Sequence, residues 1–442
     1  MMSQLLVKSL VWYAVILSLS PVSHADEPAL TRPAMKQRLE ALKSRTSRLP
    51  LPPPTEAEKA SGRSLVNNGR LRALYLPPSW TSFVIPGWGG SGAARGAKSG
   101  TTAAATLNSL QSRPDYGFKT RVFWVVSRAN DCQYCLGHQE LKLKRAGMTE
   151  DQVAALDSDW SQFDRAEQVA MRIARKLTLE PQHFGSNEVQ DLLRHYSLAE
   201  TRDLLYTIAR YNAVNRWTTA TGIPQDQVFG GEASGPLDSP TSEKYASVQS
   251  TVAPTDLTPR APWESQEVFE QRLTEARSRT PLVAIPSKES ASEVLSSEVP
   301  GVIPPQWFCA LSDQSIALEA WAQRQAMMRD GKTSLDLRVL IAWVTARENR
   351  AWYAAAHARA RLSADVALYD FDQLLQSVPA GWATALQLAR KLTTSPQSIT
   401  DADISALREH FSDHETAEII QLIADANAFD RFTESLQLTL EF

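Results

Sequence analysis

Cysteine is scarce in this 442-residue sequence: three residues in all, which excludes the disulfide framework that holds many exported domains together. Charge of one sign is scarce too. The formal net charge is -3, with Lys and Arg scattered among Asp and Glu, so no basic stripe offers contacts to nucleic acid. Only one long apolar run occurs, near the start, and no second stretch of membrane-spanning length follows it. Strand-like alternation of apolar and polar residues is also missing. The Gly-rich run Gly87 to Gly100 fails as a phosphate loop, because Ala97 parts Gly96 from Lys98 and breaks the G-K-[ST] requirement; it reads as a loop. What is left is a globular composition, 43% hydrophobic and 21% charged, in a chain too long for one core, so two domains and connecting segments are expected.

The apolar run itself, Leu10 to Leu19, follows Lys8 and precedes Pro21 and the small-residue pattern Ser23-His24-Ala25. That is the pattern of a removable signal peptide over residues 1–25, with cleavage after Ala25 and a mature chain from Asp26. An uncleaved anchor is the alternative. Cleavage predicts an exported protein, periplasmic or secreted, that is soluble and has no membrane partner once processed.

Comparing the chain with itself decides the organisation. Gln37-Arg38-Leu39 and Ser44-Arg45-Thr46 recur as Gln271-Arg272-Leu273 and Ser278-Arg279-Thr280, and Pro77-Pro78-Ser79-Trp80 recurs as Pro304-Pro305-Gln306-Trp307. Ser127 to His138 lines up with Ala346 to His357, with Asn130, Tyr134 and His138 matching Asn349, Tyr353 and His357. Ala174 to Thr178 returns as Ala389 to Thr393, and Asn212 to Trp217 is echoed by Asn427 to Phe432. The order is kept, which predicts two diverged copies over 63–229 and 263–442. An N-terminal helix (Pro33 to Ser47) and a Pro-rich segment (Pro50 to Pro54) occupy 26–62, and a Gly/Ser/Thr/Pro-rich linker without helical periodicity occupies 230–262. Cys132 and Cys135 correspond to Ala351 and Ala354, so the second copy has no thiol pair.

Periodicity predicts helices throughout and an all-α fold. Phe118 to Val126 is apolar. Cys132 to Ala146 follows, with Asn130 or Asp131 as N-cap and Gly147 as the stop. Thr149-x-x-Gln152 is a capping box. Arg165 to Leu177 and Leu198 to Ala220 carry apolar stripes, the second through Leu204, Leu205, Ile208 and Ala209. Cys132 and Cys135 then fall in the first turns of a helix, where unpaired N–H groups and the dipole favour a thiolate, with His138 one turn further on as a proton partner.

Other uses of these residues are weaker. A c-type haem needs His directly after the second Cys, where Leu136 stands; zinc needs a fourth ligand, and His183 and His195 form no second pair. No cofactor or metal is called for. An inert structural disulfide is the bland reading of Cys132 and Cys135, and Cys309, between Trp307 and Ala310, reads as a buried hydrophobe.

The string Asn130-Asp131-Cys132-Gln133-Tyr134-Cys135-Leu136-Gly137-His138, followed by Gly147, resembles the active-site helix of the carboxymuconolactone decarboxylase/alkylhydroperoxidase D-like family, and Phe118 to Ala220 suits that family's helical domain. A degenerate likeness covers 303–440. The resemblance implies tandem all-α domains and a thiol peroxidase or disulfide oxidoreductase. Cys135, assisted by His138, would attack the peroxide, Cys132 would resolve the sulfenic acid, and an external thiol reductant would reopen the disulfide. Two departures stand out. Thr120 occupies the place of a family Glu twelve residues before the first Cys, with Asp131 or Glu140 as substitutes, and Gln139 holds the position of the family His. A non-enzymatic helical scaffold with a structural disulfide, a cofactor-free decarboxylase-like activity and a homo-oligomer of tandem units stay open.

Overall fold

A computed structural model describes residues 30–60, 66–80, 116–226, 240–254, 260–362 and 367–442. The expected signal peptide, residues 1–25, and the Gly-rich run lie outside the described residues. The fold is all-helical, and the one pair of extended residues among those described is an isolated antiparallel bridge between Thr31 and Gln249. No described helix is long and apolar enough to cross a membrane.

In the first half α1 (Arg32–Ala41), α2 (Asn67–Tyr75), α3 (Tyr116–Ala129), α4 (Gln133–Arg145), α5 (Glu150–Ser158), α6 (Arg165–Leu179) and α7 (Leu198–Thr221) surround one core. The second half holds α8 (Gln266–Ser278), α9 (Ala317–Arg329), α10 (Leu335–Asn349), α11 (Trp352–Arg359), α12 (Ala380–Thr394) and α13 (Asp413–Ser435). Local signals set the boundaries. The Thr149/Gln152 capping box opens α5, Asp164 caps α6, and Ser197/Glu200 and Ser412/Glu415 boxes open the two long helices. Gly222, at φ 62°, stops α7 in the left-handed region that favours glycine.

Helices α7 and α13 make the most extensive helix–helix contact of the molecule. Each is therefore buried on nearly every face, where the apolar pattern of α7 predicts a single stripe. Polar side chains stud this junction, and they are satisfied in matching ways. Asn212 accepts from Asn130 (3.1 Å) and Arg216 (2.9 Å) and donates to Thr178 Oγ1 (3.0 Å). Asn427 accepts from Asn349 (3.2 Å) and Arg431 (2.7 Å) and donates to Thr393 Oγ1 (2.9 Å). Arg216 then crosses to the Thr393 carbonyl and Arg431 to the Thr178 carbonyl, each at 3.1 Å, so each half closes the other's network.

Two expectations need correction. Pro77-Pro78-Ser79-Trp80 and Pro304-Pro305-Gln306-Trp307 do not occupy matching places. The Trp307 N–H faces the Tyr353 hydroxyl as the Asn68 N–H faces that of Tyr134, whereas Trp80 reaches across to the Ala326 carbonyl of the other half. The residues of 230–262 that are described are not a bare linker either. Glu243–Ala246 is a short helix whose Tyr245 packs on Ala154 and Ala155 of α5, and Thr251 N–H bonds the Asp157 carbonyl. One aromatic and a few backbone bonds suffice to dock a segment whose composition carries no periodic signal.

Candidate active site: a buried thiol pair

Helix α3 ends in a Schellman turn: Cys132 N–H reaches back to the Ser127 carbonyl (2.8 Å) and Asp131 N–H to that of Arg128 (3.1 Å). Asp131 takes the left-handed conformation at φ 50°, as does Arg350 at φ 51° in the second half. The expected N-cap is thereby displaced. Asp131 belongs to the turn, and the Asn130 amide is spent on Asn212 and Asn215 between the helices. Cys132 itself is the N-cap of α4, and Cys135 lies in its first turn.

Both cysteines are free, 1% and 2% exposed. Their sulfurs share one hydroxyl, with Thr218 Oγ1 of α7 at 3.1 Å from Cys132 and 3.3 Å from Cys135. Burial opposes ionisation of Cys132, but the Cys135 thiol, the Thr218 hydroxyl and the N–H of Cys135 at the helix start outweigh it and hold its pKa below the ordinary thiol value. Burial and then the neighbouring Cys132 push Cys135 well above it. Ionisation is thus easier at Cys132 than at Cys135.

His138 is held at both ring nitrogens. Nδ1 lies 3.0 Å from the Tyr134 carbonyl and Nε2 2.8 Å from the Asp226 carboxylate. Asp226 also accepts from the Tyr134 hydroxyl (2.8 Å) and from the N–H of Asn67 (2.5 Å). The same clamp occurs in the second half. Glu441 accepts from Tyr353 (2.6 Å) and from the N–H of Gln306 (2.5 Å) and lies 3.3 Å from His357 Nε2. That copy of the clamp serves no thiol pair.

Neither expected carboxylate substitute faces His138. Glu140 is buried in an ion pair with Arg32 (2.6 Å), which also binds Glu150 (2.9 Å), and Asp131 pairs with Arg38 (3.1 Å). Thr120 bonds its own helix at the Tyr116 carbonyl. The carboxylate beside the histidine is Asp226, from the segment after α7; nothing local in sequence links it to position 138, although Asp226 and Glu441 follow the matched asparagines of the two long helices at the same interval. Thr218 and Asn215, which also bonds Ser127, were likewise beyond reach of the motif. Lys142 was within reach, being two turns beyond Cys135 on the same face of α4; burial pushes its ammonium down to about 7, against the opposing influence of Cys135.

Beside the outer face of α4 a groove of about 350 Å³ runs along α1, lined by Leu39, Leu141, Gly137, Gln225 and Asp226 but by neither cysteine. No group of three or more His, Cys, Asp or Glu side chains among the described residues is placed to hold a metal.

No family model and no curated protein matches the chain. The likeness to alkylhydroperoxidase D-like proteins therefore rests on the residues themselves.

Proposed function

We propose that the chain is an exported thiol oxidoreductase, a peroxidase or disulfide reductase, built from two alkylhydroperoxidase D-like helical units of which only the first carries the reaction centre Cys132, Cys135 and His138. The observation that carries this reading is the pair of free thiols around one threonine hydroxyl at a helix start, with ionisation favoured at one sulfur and opposed at the other. That asymmetry is what two-step dithiol chemistry uses.

In the reaction a thiolate attacks the terminal oxygen of a hydroperoxide. The O–O bond breaks, a sulfenic acid forms, and the leaving alkoxide departs as alcohol after taking the other thiol's proton. The second sulfur then displaces hydroxide from the sulfenic sulfur, giving the disulfide, and the hydroxide becomes water by taking from solvent the proton released when the first thiol ionised. An external dithiol returns two electrons by exchange and is itself oxidised. The charge distribution favours Cys132 as the first attacker; the family resemblance favours Cys135. His138 enters as a positioning residue, because its clamp recurs where no thiol pair exists, and Lys142, whose ammonium burial makes easier to deprotonate, is the candidate proton acceptor.

The deciding experiment is the reduction potential of the pair together with peroxide consumption by the reduced protein. A potential in the oxidoreductase range, with turnover lost in both Cys132→Ser and Cys135→Ser and a dimedone-trapped sulfenic acid in one of them, supports the proposal and identifies the attacking sulfur. A potential below about −300 mV with no turnover would make the pair a structural bond in a helical scaffold.

A further inference from the structure

Where the first half holds its thiols, the second half holds a cavity of about 60 Å³. Ala354, at the place of Cys135, and Asp430, at the place of Asn215, lie in its wall beside Met327, Val339 and Phe429. Three arginines line it, and the guanidinium of one, Arg338, is spent on the carbonyls of Met327 and Thr333. Arg324 comes from α9, its guanidinium carbon 3.3 Å from the centre of the Phe429 ring, and Arg361, exposed at the mouth, follows α11.

The carboxylates around these arginines are engaged elsewhere. Asp425 pairs with Arg210, Glu441 with His357 and Tyr353, and Asp430 bonds Asn349 at 3.0 Å. Among the described residues no carboxylate lies within ion-pair distance of Arg324 or Arg361. Burial pushes Asp430 up to about 8, so at neutral pH it is a neutral hydrogen-bonding acid and not a counter-ion. Asp425 in the same wall acts on Arg324 but is shared with Arg210, so arginines outnumber anions around this partly buried space, and a planar guanidinium matches two carboxylate oxygens.

We propose that this cavity binds a short-chain carboxylate, its oxygens held by Arg324 and Arg361 and its hydrocarbon end packed against Met327, Val339 and Phe429. Apolar walls favour a ligand with a hydrocarbon body over phosphate. The space admits roughly four to six water-sized spheres of ~10–15 Å³, which limits the chain to about two to four carbons. The site is separate from the thiols and does not depend on their chemistry.

The test is calorimetric titration of the full chain with butyrate, butyramide and inorganic phosphate. Saturable butyrate binding is expected, unchanged in Cys132→Ser/Cys135→Ser and weakened about tenfold in Arg324→Gln and several-fold in Arg361→Gln, with butyramide and phosphate far weaker. Arg361 is exposed, so its replacement leaves the fold intact and keeps the test decisive if Arg324→Gln does not fold. Butyrate affinity unchanged in Arg361→Gln, equal binding of butyramide or phosphate, or no butyrate binding would overturn the proposal.

Discussion

The two halves share a set of buried contacts and differ at the thiol pair. Both keep the asparagine network that ties the helix before the turn to the long helix, the left-handed residue ahead of the next helix, and the Tyr–His–carboxylate clamp after it. The differences gather around one pocket: Cys132, Cys135, Ser127, Asn215 and Lys142 face Ala351, Ala354, Ala346, Asp430 and Arg361. The second half thus acts as an internal control. Whatever survives there without the thiol pair is explained by folding, and only what is confined to the first half needs a chemical explanation. By that criterion the sulfurs, Asn215 and Lys142 set the first half apart, whereas Thr218 has a buried counterpart in Thr433 that bonds its own helix in the same way.

The largest effect should come from breaking the shared buried contacts. Asn212→Ala removes one buried hydrogen bond each from Asn130, Thr178 and Arg216, and Asn427→Ala does the same to Asn349, Thr393 and Arg431. Each should cost about 3–5 kcal/mol in urea unfolding, and the two should agree within about 1 kcal/mol. A mild Asn427→Ala beside a severe Asn212→Ala would end the claim that the halves are built alike.

A smaller effect tests a place where the halves chose different solutions. Gly137 of α4 faces Gln225, whose Nε2 bonds the carbonyls of Gln133 and Tyr134 at 3.0 Å; a Cβ at Gly137 would lie 2.1 Å from that nitrogen. The second half has Ala356 and Leu440 at these places. Gly-to-Ala in a helix normally stabilises by up to about 1 kcal/mol, but Gly137→Ala should destabilise by about 1–2 kcal/mol, and adding Gln225→Leu should recover much of the loss. A stabilising single substitution would show that Gln225 moves aside freely.

Asp430 against Asn215 gives a pH-dependent contrast. The folded pKa of Asp430 is raised from 3.8 to about 8, so the folded state holds a proton that the unfolded state releases across that window. Its contribution is intact below pH 3.8 and is lost progressively as pH rises to about 8. Asp430→Asn, which copies the first half, should match the parent near pH 4 and exceed it by on the order of 1–2 kcal/mol at pH 8.5, measured by urea unfolding at both values. Equal stability differences at the two pH values would show that burial does not hold that proton.

The sequence showed the helices well, because their caps are local: Thr149/Gln152 and the ends of α6 and α7 lie within two residues of where periodicity puts them. It misplaced the start of α4 because Asn130 and Asp131 are good capping residues in isolation, and only the neighbouring helix shows that Asn130 is needed elsewhere. The thiol pair was legible from its spacing. Its surroundings were not, since Thr218, Asn215 and Asp226 approach from a helix and tail more than eighty residues away, joined to α4 by packing alone. Composition likewise concealed the docking of Tyr245, where one buried ring does what a periodic stripe does in a helix.

The smallest effect separates two roles for His138. If its ring only clamps α4 to Asp226, replacing it resembles replacing His357, which sits on Glu441 in the half without the thiol pair. His138→Gln and His357→Gln should then each cost about 0.5–1.5 kcal/mol. Iodoacetamide alkylation of the reduced cysteines at pH 7 should change by less than about twofold in either variant, because the groups that favour ionisation of Cys132 are Cys135, Thr218 and the helix start. A histidine that takes the thiol proton would behave otherwise: alkylation would slow about tenfold in His138→Gln, the low end of general-base effects moderated by the other donors, and stay constant in His357→Gln. Equal stability losses with unequal alkylation rates would return His138 to the chemistry, and equal values of both would leave it to the fold.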